Sequence, residues 1–395
     1  MKKIIIVGSG IAGVTAAENI RKINRDVEIS IITDEKFYPY SRIKLSKYIC
    51  RPFNIEELYL HKGDWYKEQN IKVVLSRELN KIIPEENSIV LSSGEKITYD
   101  KLILANGSSS FVPPIRGNEL NGVFTVRKAE DINKINNYIN EMKVKNVTVI
   151  GGGLLGIEAA WSIRENSNIN INIIEALPRL LPRQLDEEGS QILENIVNEN
   201  NITLYKAYGV KEISGNSHVE KVILENGNEV ISDLVIISAG VRSNIKAALD
   251  SKINANRGII VDDRMRTNYD NIYAAGDVAE FSGNVWGIWP VAMEQGKVAG
   301  INSAGIEAHY NEITPSNLLQ VMGVSVFSAG TINDKDAQAV KYDGIYSKLF
   351  FKEGLIIGGI VMGDTKKGFK IKTAIEQRRN FSKELLNNVD IMKII

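Results

Sequence analysis

Cysteine is almost missing from this 395-residue chain, where Cys50 stands alone. A single thiol excludes an intramolecular disulfide, a CxxC or CxxxxC redox pair, and any cysteine-ligated cluster or zinc site. Histidine is nearly as scarce. His61, His218 and His309 lack metal-ligand spacing, so surface or packing roles are expected for them, and no metal site. An excess of either charge is missing too, since 48 basic side chains balance 48 acidic ones. That argues against nucleic acid as the main partner, although a local basic patch can still steer a small acidic protein. No segment reaches the roughly 18 uninterrupted apolar residues of a membrane span, so a soluble cytoplasmic protein is expected. Lys2-Lys3, the apolar residues after them and Ala16-Ala17 have the outline of a signal peptide, but cleavage there would remove the glycine pattern that begins at Gly8.

Glycine, by contrast, is placed with a pattern. Gly8-Ser9-Gly10-Ile11-Ala12-Gly13 follows the apolar run Lys2 to Val7, and Gly151-Gly152-Gly153-Leu154-Leu155-Gly156 follows Val147 to Ile150. In each, the first glycine permits a tight turn, the second lets backbone approach a pyrophosphate, and the third lets a helix pack closely on its strand. The helix N-terminus then holds the phosphates. Two such sites in one polypeptide suggest that an electron pair passes from one bound dinucleotide to another, with FAD and NAD(P)H as the leading pair.

The rest of the chain can be placed around these turns. Val27 to Ile32 reads as a second strand ending at Thr33-Asp34-Glu35, at the distance where an acid meets a ribose, so Asp34 or Glu35 is expected to contact the adenosine ribose. A basic, tyrosine-rich segment from Tyr38 to Lys47 follows, then hairpin-like strands, a short strand from Lys101 to Ala105 that ends in Asn106-Gly107, and a linker marked by Pro113-Pro114 and Gly117. In the second unit, a helix is expected from about Leu155 to Ile163, a strand over Asn170 to Ile174 ending in Glu175, and a closing strand over Leu234 to Ser238. From about Ser316 the pattern changes to short alternating runs that read as an antiparallel sheet with a terminal helix. The fold class expected is α/β, with two Rossmann-like dinucleotide-binding domains, one for FAD and one for NAD, plus a C-terminal α+β domain.

These motifs, together with Ala105-Asn106-Gly107, Ser238-Ala239-Gly240-Val241-Arg242-Ser243-Asn244, and Thr267 followed by Ile272 to Asp277, resemble the FAD-dependent pyridine nucleotide reductases that lack a redox disulfide. Within that group the chain is most similar to NADH:rubredoxin oxidoreductases and to the flavoprotein portion of NAD(P)H nitrite reductases. The resemblance implies an FAD-binding domain over residues 1–112 and 243–315, split by an NAD-binding domain at 113–242, with the C-terminal domain at 316–395. It implies that Asp277 accepts from the ribityl chain, Gly276 allows the close approach, Arg42 lies near the FAD phosphates and Lys47 beside the isoalloxazine, where positive charge stabilises arriving electron density. It also implies that Glu158 faces the nicotinamide pocket.

On this reading the cofactor contacts comprise Gly8, Gly10, Ala12, Gly13, Asp34 or Glu35, Arg42, Lys47, Ala105, Asn106, Gly107, Gly151, Gly153, Leu155, Gly156, Glu158, Glu175, Gly240, Gly276, Asp277 and Trp289, with Lys47 and Glu158 nearest the chemistry. Glu175 closes its strand where a carboxylate binds both ribose hydroxyls and repels a 2′-phosphate, which favours NADH, while Arg179 and Arg183 stand close enough to soften that preference. A helix opening at Trp289-Pro290 has its proline where a missing N–H costs nothing, and its positive end suits flavin N1 and O2, with Trp286 and Trp289 placed to wall the ring. The cofactors do the bond chemistry, and protein residues supply alignment and field. The function expected is NADH oxidation with electrons released to a small iron protein such as rubredoxin. Lys366, Lys367, Lys370 and Lys372 are candidate docking residues, although such a run also forms ordinary solvated faces. Alternatives are an NADH oxidase or peroxidase working through Cys50, which otherwise reads as structural, the flavoprotein component of a nitrite reductase, and a nucleotide-responsive interaction protein. Oligomeric state stays open.

Overall fold

Runs of β-branched residues with no polar alternation, such as Ile4-Ile5-Ile6, belong in sheets covered on both faces. Those three isoleucines are at most 1% exposed. The computed structural model describes residues 2–395 and separates into two compact units. The first consists of residues up to 44, 53–110 and 241–312, and the second of residues 45–52, 111–240 and 313–395.

The first unit is built on a parallel sheet whose strands lie in the order Ile272–Ala274, Lys101–Leu104, Lys3–Val7, Glu28–Ile32 and Ile71–Val74. The central strand Lys3–Val7 leads through the first glycine turn into the helix Ile11–Ile23. That helix crosses Trp289–Ser303 through small residues. A Cβ on Gly300 would lie 2.6 Å from the Ala16 carbonyl oxygen, and one on Gly296 would meet Ala12 backbone, so both positions need glycine for the helices to touch. A small antiparallel sheet, Leu79–Ile83 with Ser88–Leu91 and Lys96–Thr98, completes this unit beside shorter strand pairs.

The second unit repeats the plan. Its parallel sheet runs Ile202–Lys206, Asn170–Glu175, Asn146–Ile150, Leu234–Ile237 and Val123–Phe124, again with the glycine turn leaving the central strand. The helix after that turn, Leu154–Asn166, extends past the expected Ile163 because nothing in Arg164-Glu165-Asn166 breaks it. An antiparallel sheet of Val210–Ser214, Lys221–Leu224 and Glu229–Ile231 lies outside the sequence expectations.

The C-terminal part of the same unit is a five-stranded antiparallel sheet, ordered Ser316–Val321, Val324–Gly330, Leu355–Met362, Tyr346–Lys352 and Gln338–Tyr342. Helix Gly368–Glu376 covers it, and its fully buried Ile371 joins Phe327, Leu349, Phe351 and Val361 in one core. Burying a side chain of that size stabilises by roughly 1.5–3 kcal/mol. Among the described residues no helix is long and apolar enough to cross a membrane.

Candidate cofactor-binding sites

The two glycine turns are superposable in their logic. Gly8 has φ +112° and Gly151 φ +117°, a region closed to most side chains, and added Cβ atoms would strike the Ala105 and Ser238 carbonyls respectively. Cβ atoms on Gly13 and Gly156 would strike the carbonyls of Gly8 and Gly151. The middle glycines differ. Gly10 and Gly153 have ordinary φ values of −72° and −80°, and a Cβ on either would meet nothing within 4 Å. Packing therefore explains the first and third glycines of each turn and not the second, where the open space suits the close approach of a ligand.

The helices that follow fit an anion. Ile11–Ile23 and Leu154–Asn166 have no side-chain cap and no acidic residue in the first turn. Elsewhere in the chain, Glu187–Glu199 is capped by Asp186 and begins with two glutamates, and Ala129–Met142 begins with Glu130 and Asp131. Uncapped first-turn amides next to a cradle suit a pyrophosphate, and first-turn carboxylates would repel one. Helix Trp289–Ser303 shares the uncapped, acid-free start, with Pro290 in its first turn and Trp289 half-buried.

In the first unit the structure separates the two acids that sequence left equivalent. Glu35 is 6% exposed and its carboxylate accepts from the Tyr40 hydroxyl and from Arg42, whereas Asp34 is exposed. Ser9 Oγ donates to Thr33 Oγ1 at 2.9 Å, tying the turn to the strand end. Beyond the closing strand, Asn106 Nδ2 donates to the Asn244 carbonyl at 2.8 Å and Asn244 Nδ2 returns the bond to the Asn106 carbonyl at 2.7 Å. Asn106 Oδ1 is buried without a protein donor. An unmet buried acceptor costs about 1–3 kcal/mol, a cost removed when a polar ligand donates to it.

The same region holds Asp277. Ser108 Oγ donates to its Oδ2 at 2.9 Å and Ser243 Oγ to its carbonyl at 2.7 Å. Gly276, at φ +80°, donates its N–H to the buried Gln295 side chain at 2.9 Å, and a Cβ there would lie 3.0 Å from Ala12 Cβ. Ala12, Asn106, Gly276 and Asp277 are thus gathered by one network. Sequence reading missed its supports, Ser108 and Gln295, and the Gly296 and Gly300 contacts. A four-residue glycine spacing facing Ala12 and Ala16 was the available signal. Ala105 closes its strand at 6% exposure, Gly107 turns the chain at φ +63°, and Trp286 donates to Glu312 at 3.2 Å.

In the second unit, Glu175 accepts from the Gly152 N–H at 2.7 Å and the Leu177 N–H at 2.8 Å, so its carboxylate is fixed at the mouth of the turn. Arg179 does not reach toward it. Its guanidinium is committed to the Leu185 and Pro182 carbonyls and to Ser190 Oγ, which removes it as a modifier of nucleotide choice and leaves exposed Arg183. Leu155 is 42% exposed on the first turn of its helix, and Gly240, at φ +94°, turns the chain after the closing strand.

Residues 45–52, far away in sequence, pack in this second unit. Buried Ser46 donates to Glu158 Oε2 at 2.9 Å. Burial pushes the Glu158 carboxyl up, opposed by the Ser46 bond and by the nearby Lys47 charge. Lys47 itself is exposed. Burial likewise pushes the Cys50 thiol up to about 11, a hydrogen bond with Ser167 only partly offsetting it. The candidate docking lysines differ: Lys370 is exposed, Lys366 is exposed and pairs with Asp364 at 3.7 Å, Lys367 bonds to the Met392 carbonyl, and Lys372 pairs with Glu376 at 3.6 Å.

Comparison with known proteins places this arrangement. Residues 2–296 match the family described as pyridine nucleotide-disulphide oxidoreductase, and residues 315–379 match the rubredoxin NAD+ reductase C-terminal domain. The chain belongs to the pyridine nucleotide-disulphide oxidoreductase family. It is 36% identical to an NADH-rubredoxin oxidoreductase of Clostridium acetobutylicum over 98% of this chain and 99% of that one. The solved structure of NADH:rubredoxin oxidoreductase from that organism superposes with a TM-score of 0.83 at 35% identity, covering 98% of this chain and 99% of that one. A nitrite reductase [NAD(P)H] of Bacillus subtilis is 34% identical over 96% of this chain, which spans 48% of that longer relative. Oxidoreductases of this family use FAD and NAD(H), the two ligands the cradles fit. The family is named for a disulfide, yet this member has one cysteine.

Proposed function

We propose that this protein oxidises NADH and passes the electrons through FAD to a small iron protein of the rubredoxin type. The observation that carries this reading is the pair of open glycine cradles in a chain with a single, half-buried thiol. FAD, when bound, takes two electrons from NADH and can release them one at a time. With no second cysteine to complete a dithiol relay, electrons leave for the acceptor without a protein disulfide. The match of residues 315–379 to the rubredoxin reductase C-terminal domain supports an iron-protein acceptor.

In this reading residues 1–112 and 243–315 hold FAD, and residues 113–242 hold NADH. Gly8, Gly10 and Gly13 cradle the FAD pyrophosphate, and Glu35, pre-oriented by Tyr40 and Arg42, meets the adenosine ribose. Asp277 and Asn106 serve the ribityl end, and the N-terminus at Trp289 faces the flavin pyrimidine. Gly151, Gly153 and Gly156 cradle NADH, whose ribose meets Glu175. Glu158, its carboxyl pushed up by burial against the opposing Ser46 bond and Lys47 charge, lines the nicotinamide end with Lys47 near it. Exposed Lys366 and Lys370 steer an acidic carrier.

The test is anaerobic NADH oxidation with rubredoxin, ferredoxin, oxygen and peroxide compared side by side. Rubredoxin should be reduced fastest, and a rubredoxin rate no higher than the oxygen rate defeats the assignment. The 34% identity to the Bacillus nitrite reductase supports one second reading, the flavoprotein component of a nitrite reductase that works with a nitrite-reducing partner. Nitrite-dependent turnover that appears only on adding such a partner would select it.

A further inference from the structure

The C-terminal antiparallel sheet belongs to the second compact unit, and its polar contacts there include a group on one loop and the start of the helix after it. That loop, residues 176–186, follows Glu175. Tyr346, fully buried, donates its hydroxyl to both Asp186 oxygens at 2.8 and 2.7 Å, and Lys348 Nζ donates to Asp186 Oδ2 at 2.7 Å. Asn333 donates to the Pro182 carbonyl at 3.0 Å, and Lys341 pairs with Glu188. Asp186 also accepts from the Gly189 N–H at 3.0 Å, which starts helix Glu187–Glu199. A Cβ at Gly189 would stand 3.2 Å from the Tyr346 ring, so the helix start is shaped around the tyrosine.

From Asp186 the contacts run on to the nucleotide turn. Ser190, in the first turn of that helix, donates to the Leu180 carbonyl at 2.6 Å, and Glu194 accepts from the Leu180 N–H at 3.2 Å. Leu180 is fully buried, and its side chain fills the space a Cβ on Gly152 would need. Gly152 in turn donates to Glu175. Each step is a hydrogen bond or a van der Waals contact between named groups. The carboxylate expected to meet the ribose thus rests on a loop whose far end is held by the C-terminal sheet.

We propose that Tyr346 and Lys348 are positioning residues for the pyridine nucleotide: by clamping Asp186 they fix the loop that orients Glu175 and Gly152, and so set nucleotide affinity. The C-terminal sheet is then part of the NAD(H) site as well as a candidate surface for the acceptor. This rests on the assignment of NADH to the second glycine turn.

The experiment titrates NAD+ into the oxidised, FAD-loaded protein by calorimetry and measures KM for NADH and kcat in parallel. Tyr346→Phe and Lys348→Met should each raise the Kd for NAD+ and the KM about fivefold, leaving kcat and FAD content unchanged, and Lys348→Arg should restore most of the affinity. Tyr346→Phe keeps the ring, so it gives a folded variant to measure even where Lys348→Met does not. Lys352→Met, which breaks a 3.0 Å pair with Asp334 in the same unit, serves as control and should change neither Kd nor KM. Wild-type affinity in both Tyr346→Phe and Lys348→Met, or an equal loss in Lys352→Met, overturns the inference. Wild-type protein that binds no NAD+ overturns the site assignment, and the inference with it.

Discussion

Alanine at the middle glycine of each turn separates ligand binding from folding. At Gly153 the helix N-cap has φ −80° and ψ 179°, open to any residue, and the new methyl group meets no protein atom within 4 Å. Alanine is a poorer N-cap than glycine by a few tenths to about 1 kcal/mol. Against that, removing a glycine from the unfolded chain stabilises by about 0.4–1 kcal/mol. The two offset, so the melting temperature should stay within about 2 °C of wild type. Binding responds differently, because the methyl occupies the place a pyrophosphate needs. Losing two amide–phosphate hydrogen bonds at about 1.5 kcal/mol each weakens NAD+ about 100-fold. Gly153→Ala should therefore retain FAD and bind NAD+ poorly, whereas Gly10→Ala should be purified with little FAD and still bind NAD+. Calorimetry for NAD+ and the flavin absorbance ratio for FAD read the two outcomes. Full NAD+ affinity in folded Gly153→Ala, or full FAD content in Gly10→Ala, would refute the cradle argument.

Cys50→Ser should keep NADH turnover with every acceptor. In wild type, a thiol pushed up to about 11 leaves roughly one molecule in a thousand as thiolate at pH 8, so iodoacetamide should label it very slowly. Glu175→Ala combined with Arg183→Ala should raise the Kd for NAD+ by about 10-fold to 100-fold without creating tight NADPH binding, since Arg179 is committed to oxygens of its own loop and helix and brings no cation to a 2′-phosphate; tight NADPH binding in the double variant would refute that. Asp186 should contribute to acid stability. Burial alone would raise its carboxyl, but bonds from Lys348, Tyr346 and the Gly189 N–H outweigh that and hold it below the usual range. Its contribution is therefore fully present above the unfolded value near pH 4 and lost as pH falls through the lower folded value. In thermal melts, the deficit of Asp186→Asn should be largest at neutral pH and shrink toward pH 2.5, and a deficit constant across that range would refute the reading.

What could be read directly from the chain was whatever a local pattern encodes. Both glycine turns, the parallel strands around them and the onset of a different architecture near Ser316 follow from spacing and apolar runs, because those features act within a dozen residues. The choice between Asp34 and Glu35 needed Tyr40 and Arg42 folded over one of them, and nothing in the adjacent pair predicts which acid turns inward. Arg179 misled for the same reason. A guanidinium near a ribose-binding carboxylate reads as a partner for phosphate until three oxygen acceptors are found already holding it. The least legible feature was the path of residues 45–52, which leave the first unit's sequence to place Ser46 on Glu158, 112 positions away.

That long-range path has a mechanistic consequence. Glu158 is half-buried and accepts from Ser46, which arrives from a segment that follows the first glycine turn in sequence. A carboxyl raised by burial favours its neutral form, and the charge of Lys47 favours the ionised one. Burial therefore pushes the Glu158 carboxyl up, and both influences that oppose it, the Ser46 bond and the Lys47 charge, come from residues 45–52. Sequence motifs name the two glycine turns one at a time, whereas Ser46 and Lys47 come from a segment that follows the first turn in sequence and packs in the unit that holds the second.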